Sequence, residues 1–464
     1  DLLASLDIQD FDAQYEISNP RKDNRWSFRP SDVADAYLGW PKVTDLCATP
    51  PYNGPVERRG FALISMEKNP LTDRISAYFD TTVPDDEIKK IYPSLMMTGN
   101  RIIGPEARKK VLSEFQYDES SIVRYPFKPL DVRWCYLDNL RPLFSEPSPQ
   151  LLNQRFPGNT FFITRDTADK NPEGPPFFFS PVICDYDCIS GHARHFPLRL
   201  KAGAARRVGC KELGNHALPG METESEKITA NLSTSSRAYL ASLGLPDPDA
   251  DQATAELIWY HALAIGYSPT YLAENADGIR QDWPRIPLPQ AKDSLLASAA
   301  LGRQVAALLD TEAPVPGVTA GKIRDELRRI AVFQRVDGKP AKPEAGDLDL
   351  TAGWGHAGKG GVTMPGKGKL IRREDGACDI FLNDDAFWRN VPGTVWDYTI
   401  GGYQVIKKWL SYREKPLLGR GLTPDEVRYV TEMARRLTAL IALQSCLDDN
   451  HRNVIRTVYP WTNP

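Results

Sequence analysis

The apolar positions change period several times along the chain, and those changes set the expected architecture. Residues 60–65, Gly-Phe-Ala-Leu-Ile-Ser, read as a strand, and Leu71, Ile75, Tyr78 and Phe79 then follow helical spacing. Ile88, Ile91 and Leu95 predict a short helix after Pro84, residues 106–117 another, and Phe161-Phe162-Ile163-Thr164 a strand. The middle is more helical. Residues 251–266 and about 291–311 carry apolar stripes, with Leu295, Ala299, Gly302, Val305 and Leu309 on one face of the second. Strands return around 346–352, 378–382 and 394–400, and two helices close the chain. The last helix has a start signal: Thr423-Pro424-Asp425-Glu426 is a capping box with Pro at the first helical position. Val427, Val430, Ala434, Leu437, Leu440 and Ile441 follow it at helical period.

The pattern predicts an α+β fold, a mixed multi-part domain of short strands and loops. An N-terminal α+β part is expected over 1–245, a helical section over 246–312, and a C-terminal α+β part over 313–464. The last part holds a Gly-rich junction near 353–368 and the terminal helices. Thirty-eight Pro and 33 Gly in 464 residues support many short elements and long loops. A chain that is 41% hydrophobic and 25% charged can build a core. No apolar run reaches the roughly 18 residues of a membrane span. Seven dispersed cysteines suit reduced cytoplasmic thiols better than a disulfide framework. The chain starts at Asp1, with no initiator Met and no basic leader, and reads as a piece of a longer protein. A net charge of −3 gives no global pull on nucleic acid, so any such contact must come from local cation clusters.

Five segments carry a family resemblance. They are Arg124-Tyr125-Pro126-Phe127-Lys128-Pro129-Leu130-Asp131-Val132-Arg133-Trp134-Cys135-Tyr136, Gly158-Asn159-Thr160-Phe161-Phe162-Ile163-Thr164, and the stretch from Tyr260-His261 to Asp282-Trp283-Pro284-Arg285-Ile286-Pro287. Thr351-Ala352-Gly353-Trp354-Gly355-His356 and Val395-Trp396-Asp397-Tyr398 through Tyr412-Arg413 complete the set. Together, over about residues 40–450, they resemble the C-terminal specificity region of type ISP restriction–modification enzymes and related adenine-N6 DNA methyltransferases. Lys128-Pro129-Leu130 widens the spacing of the first family signature. The resemblance implies sequence-specific recognition of double-stranded DNA. A separate N-terminal methyltransferase domain of the parent chain would bind S-adenosylmethionine and transfer the methyl group, and the parent enzyme could also restrict DNA. No cofactor is expected in this chain, and no membrane partner.

Catalytic motifs are weak. Thr49-Pro50-Pro51-Tyr52 approaches the Asn/Asp-Pro-Pro-aromatic loop of amino-directed methyltransferases, but Thr lacks the carbonyl or carboxylate that accepts the target amino hydrogens. Gly353-Trp354-Gly355-His356-Ala357-Gly358 fits G-x-G-x-x-G, yet the residues that follow make a poor helix. A complete permuted methyltransferase and a structural coupler with little DNA contact are the alternatives to a recognition module. Asp85-Asp86-Glu87 and Lys89 are contiguous at an expected helix start, where acids favour the helix dipole rather than a nuclease metal. Cys184, Cys188, His192 and His195, with Cys210 nearby, are zinc-type ligands at unusually short spacing. The preferred reading is two part-buried thiols and two surface imidazoles, with no metal.

Two cationic stretches free of carboxylates are expected to meet DNA phosphates. One, within 189–211, includes Arg199, Lys201, Arg206 and Arg207; the other, within 353–373, includes Lys359, Lys367, Lys369, Arg372 and Arg373. Base-reading candidates are Arg133, Lys359, Lys367, Arg372, Lys407 and Arg413. Arg133, beside Trp134, also reads as a stacked or ion-paired structural arginine, and Trp283-Pro284-Arg285 as a packing motif. Val405, Ile406, Trp409 and Leu410 should face the core, leaving Lys407 and Lys408 to solvent or phosphate.

Overall fold

The computed structural model describes residues 33–99, 102–202, 227–359 and 362–462. Arg206, Arg207 and Cys210 lie outside the described residues. Small antiparallel sheets and helices share one connected core that runs from Tyr37 to Val454. The α+β expectation holds.

The first sheet has three strands, with Asp131–Tyr136 between Ile64–Ser65 and Ile122–Lys128. Its register sets Arg124 opposite Trp134 and Tyr125 opposite Arg133. A second sheet orders Tyr52–Asn53, Arg194–Pro197, Phe161–Thr164 and Phe178–Ser180. Phe162 and Phe196 pair across it and meet Trp259 of the central helix Gln252–Gly266 at 5.5 and 5.6 Å between rings. That helix packs along Lys292–Leu309. Gly302 makes the approach possible: a Cβ there would stand 1.8 Å from the Tyr260 carbonyl oxygen.

A third sheet orders Val332–Arg335, Ala386–Pro392, Ala377–Phe381 and Leu370–Arg372. The helix Pro424–Ala442 packs on it, and the Trp388 indole donates to the Val427 carbonyl at 3.2 Å. Its capping box is formed as the sequence predicts. The Glu426 N–H donates to Thr423 Oγ1 at 3.2 Å, and the Thr423 N–H to Glu426 Oε2 at 2.9 Å. Leu443 keeps helical angles, so this helix runs bent into Gln444–Arg456 rather than ending the chain alone.

Three expected strands change. Only Ile64–Ser65 of 60–65 pairs, because a left-handed turn precedes it. The 346–352 stretch follows a 3₁₀ turn at Pro343–Ala345 and forms no strand, and 394–400 splits into the helix Gly393–Trp396 and the short strand Thr399–Ile400. Arg285 donates to the carbonyls of Leu38 and Trp40 at 2.9 and 2.8 Å, a packing role. No helix among the described residues is long and apolar enough to cross a membrane.

Candidate nucleic-acid interface

A cleft of about 980 Å³ opens between the first sheet and the C-terminal third. Its walls come from the turn at 57–61, the loop around Asp185–His192, the hairpin Gly355–Ala357/Thr363–Pro365, and the helix Val405–Ser411. Among the lining aromatics are Phe61, Phe127, Tyr403 and Tyr412. Phe127 meets Phe61 and Tyr412 edge to face, each at 5.4 Å.

Behind these rings lies an ion-pair hub. Asp131 is buried; its Oδ2 accepts from Arg133 at 2.8 Å and its Oδ1 from Arg413 at 2.8 Å. Burial alone would raise this carboxyl, but the two guanidinium groups outweigh burial and hold it at about 2. The Arg133 guanidinium lies 3.9 Å from the Phe127 ring centre, 4.5 Å from that of Tyr412 and 5.4 Å from that of Phe61. Arg413 lies over Trp409 at 3.7 Å. Arg133 and Arg413 are 2% and 4% exposed, so they support the aromatic lining from within. For Arg133 this is the stacked, ion-paired arrangement weighed beside base reading; Arg413 shares the same carboxylate, and neither side chain lies on the open surface of the cleft.

Lysines gather around Tyr403. Lys128, Lys170 and Lys408 stand 5.0, 5.6 and 5.6 Å from its ring centre, and Lys408 is 4.6 Å from that of Tyr412. Lys128 also donates to the Asp187 carbonyl oxygen. Burial, then repulsion from Lys128, Lys170 and Arg133, pushes Lys408 down to about 8. Lys407 lines the same cleft, as helical spacing predicts, while Val405, Ile406, Trp409 and Leu410 are buried. Four carboxylates share the lining: Glu57, Asp169, Asp185 and Asp187. Glu57 is turned inward onto backbone N–H groups, burial raises Asp185 to about 6, and Asp187 carries His192 at 3.2 Å. Asp185 and Asp187 act on Tyr403 and Lys128 as well, so the lysines at the Tyr403 end are interleaved with carboxylates.

The other predicted cations lie outside the cleft lining. Lys359 and Lys367 flank the hairpin and are exposed. Lys369 pairs with Asp384 at 2.7 Å, Arg372 with Asp397 at 2.9 Å, and Arg373 with Asp379 at 2.9 Å. Arg199 donates to the Gly158 carbonyl at 2.8 Å over the Phe156 ring, and Lys201 is half-buried on the strand pair Arg199–Lys201/Ile228–Ala230. Sequence reasoning missed Arg58, Lys170 and the Phe61 turn. Lys128 was singled out only for widening the spacing of a family signature, not as a cation of this cleft.

The remaining motifs resolve into structure. Gly353–Gly358 enters a strand, Gly355–Ala357, and among the described residues no α-helix directly follows it to present an N-terminus to a cofactor. The glycine density there has an internal cause: Gly368, at φ +69, sits where a Cβ would lie 2.0 Å from the buried Trp354 ring. Asp85 begins the helix Asp85–Ile91 and pairs with Arg108 at 2.6 Å. Cys184 and Cys188 are buried, and so is His195, against the surface position expected for it. The Cys184 N–H donates to His195 Nε2 at 3.0 Å, and burial pushes that imidazole down to about 3. No group of three or more metal-type ligands occurs among the described residues.

The model of the family described as Type ISP C-terminal specificity domain matches residues 52–439. This chain belongs to that family. The specificity domain has no match among curated proteins. Its fold is similar to solved structures at low identity. A nuclease-deletion mutant of the Type ISP restriction-modification enzyme LlaGI, in complex with a DNA substrate mimic, gives a TM-score of 0.55 at 15% identity; the match covers 96% of this chain and 36% of that one. DrdV in a DNA complex gives 0.58 at 16%, covering 98% and 42%, and the ATP-dependent Type ISP enzyme LlaBIII bound to DNA gives 0.54 at 12%, covering 90% and 25%. The specificity domain thus spans less than half the length of these relatives.

Proposed function

We propose that this specificity domain reads a short double-stranded DNA sequence, with the duplex backbone entering the cleft at its Tyr403 end. The observation that carries this reading is the group Lys170, Lys407 and Lys408, with the buried Lys128 behind it, in one aromatic-lined cleft of a chain from a specificity-domain family. Ammonium groups so placed displace condensed counterions from phosphates, and the aromatic rings give flat apolar surface beside them. The similar folds of DNA-bound Type ISP enzymes support it. Lys359 and Lys367 add exposed phosphate contacts beside the hairpin; Lys369, Arg372, Arg373, Arg199 and Lys201 form an outer, already partnered ring of cations.

The methyl-transfer chemistry, and any restriction activity, belong in this proposal to the rest of the parent chain. S-adenosylmethionine would bind there, in an N-terminal methyltransferase domain that docks against this one. The test is duplex binding by this chain with and without S-adenosylmethionine. Salt-sensitive binding that ignores the cofactor supports a recognition module, whereas specific S-adenosylmethionine binding by the chain itself would favour a permuted methyltransferase.

A further inference from the structure

The turn before Ile64–Ser65 is held in a conformation that side-chain-bearing residues rarely adopt. Arg58, Gly60 and Phe61 all have positive φ, at 53°, 63° and 63°. What holds them is Glu57. Its buried carboxylate accepts the N–H groups of Phe61 at 3.1 Å and Leu63 at 2.8 Å, with a longer one from Arg59 at 3.4 Å. Arg59 points inward, where its guanidinium donates to the carbonyls of Leu95 and Pro142. With these two residues anchored inside, Arg58 and Phe61 are displayed in the cleft.

Phe61 is backed on one side by Phe127 and the Arg133 guanidinium, yet stays 37% exposed. It has apolar company. Of the twelve large apolar side chains exposed among the described residues, four line this one cleft: Phe61, Met97, Val362 and Met364. Scattered exposed apolar groups need no explanation, but a cluster beside a lysine group does. Val362 and Met364 come from the C-terminal hairpin and Phe61 from the turn that leads into the N-terminal sheet, so two separate elements bring apolar tips to the same opening.

We infer that the Glu57-held turn is a rigid wedge, and that Phe61 inserts against a base step of the bound duplex, unstacking it, with Met364 contributing from the hairpin. A wedge needs an apolar tip that does not retract, phosphate anchors close by, and a backbone that loses little freedom on binding. Phe61, the Tyr403 lysines and the Glu57 hydrogen bonds supply these in turn. Glu57 is a positioning residue; Phe61 makes the contact. The inference rests on the DNA-binding reading above.

The experiment uses the full chain and a duplex selected by it from a random pool, with 2-aminopurine placed at each position of the selected site in turn. Unstacking makes 2-aminopurine brighter. Binding should raise its fluorescence at one step. Phe61→Ala should abolish that rise and weaken binding by roughly tenfold, the size of one lost ring–base contact, with an unchanged salt slope. Phe61→Leu, which keeps an apolar tip, should retain the rise, and Glu57→Gln should diminish it. If Phe61→Ala binds and brightens 2-aminopurine as the parent chain does, the wedge is wrong and DNA recognition stands. If the parent chain binds no duplex at low salt, the DNA-binding reading fails, and the wedge with it.

Discussion

Arg413 reaches Asp131 across 282 positions of sequence, its guanidinium donating to Oδ1 at 2.8 Å while Arg133, two residues along the same strand, holds Oδ2. The N-terminal sheet and the end of the helix Val405–Ser411 are joined at this carboxylate, and the aromatic lining of the cleft rests on it. A charge network so buried contributes little net stability when intact, but losing one member leaves the others uncompensated.

Arg413→Ala should therefore destabilise the fold by about 3–5 kcal/mol, read as a lower urea midpoint with the denaturant slope retained. A change within about 0.5 kcal/mol would place Arg413 among ordinary surface residues and undo the hub.

The same carboxylate predicts a pH dependence. Asp131 sits at about 2 in the folded chain, below its unfolded value of about 3.9, so its contribution is complete above pH 4 and is lost as pH falls through 2. That contribution is on the order of 2–3 kcal/mol. The stability difference between the parent chain and Asp131→Asn should shrink over that window, and a difference that stays level from pH 5 to about 2.5 would refute the assignment.

Lys407 lines the cleft, and among the described residues no carboxylate pairs with it. Lys407→Glu should weaken binding to all duplex sequences by a similar factor and reduce the salt slope by about one. Lys359→Glu and Lys367→Glu should act in the same direction. Arg133→Lys should instead leave the salt slope alone and lower stability, because its planar guanidinium stacks on three rings that an ammonium cannot match.

Lys408 makes binding pH-sensitive near neutrality. The groups that face it are Lys128, Lys170 and Arg133, which repel its charge, and Asp131, which favours it; burial adds most. Below about pH 8 it is an ammonium and above it a neutral amine, so duplex affinity should fall as pH rises from 7 to 9. Phosphate favours the charged form, so binding should take up a proton in that range. Lys408→Arg, always charged, should flatten the pH profile of the dissociation constant; a profile as steep as the parent's would contradict the role.

Much of this architecture was legible because the helices are strongly periodic. The stripe Leu295–Leu309 and the Thr423 capping box both appear where the pattern puts them. The strand at 60–65 was not legible, since its apolar letters fit a strand while a side chain outside the window, Glu57, bends the backbone into the left-handed region. The site divides in the same way. Lys407 follows from helical spacing alone. The structural reading of Arg133 was legible, since Asp131 lies two residues away, whereas the same partner for Arg413 was not, because Asp131 lies 282 positions from it and only the fold brings them together. The glycines near 353–368 read as a junction between parts, yet Gly368 makes room for a tryptophan. Lys170 gave no signal, because only the fold brings it beside Tyr403.

The central claim is that a duplex lies in the Tyr403 cleft, and fluorescence-anisotropy titration of a pool of short duplexes at two salt concentrations tests it most directly, with the parent chain and Lys407→Glu side by side. The account predicts binding at low salt that weakens steeply with added salt, and a shallower slope for Lys407→Glu. Absence of binding at low salt, or an identical slope in both proteins, would contradict it.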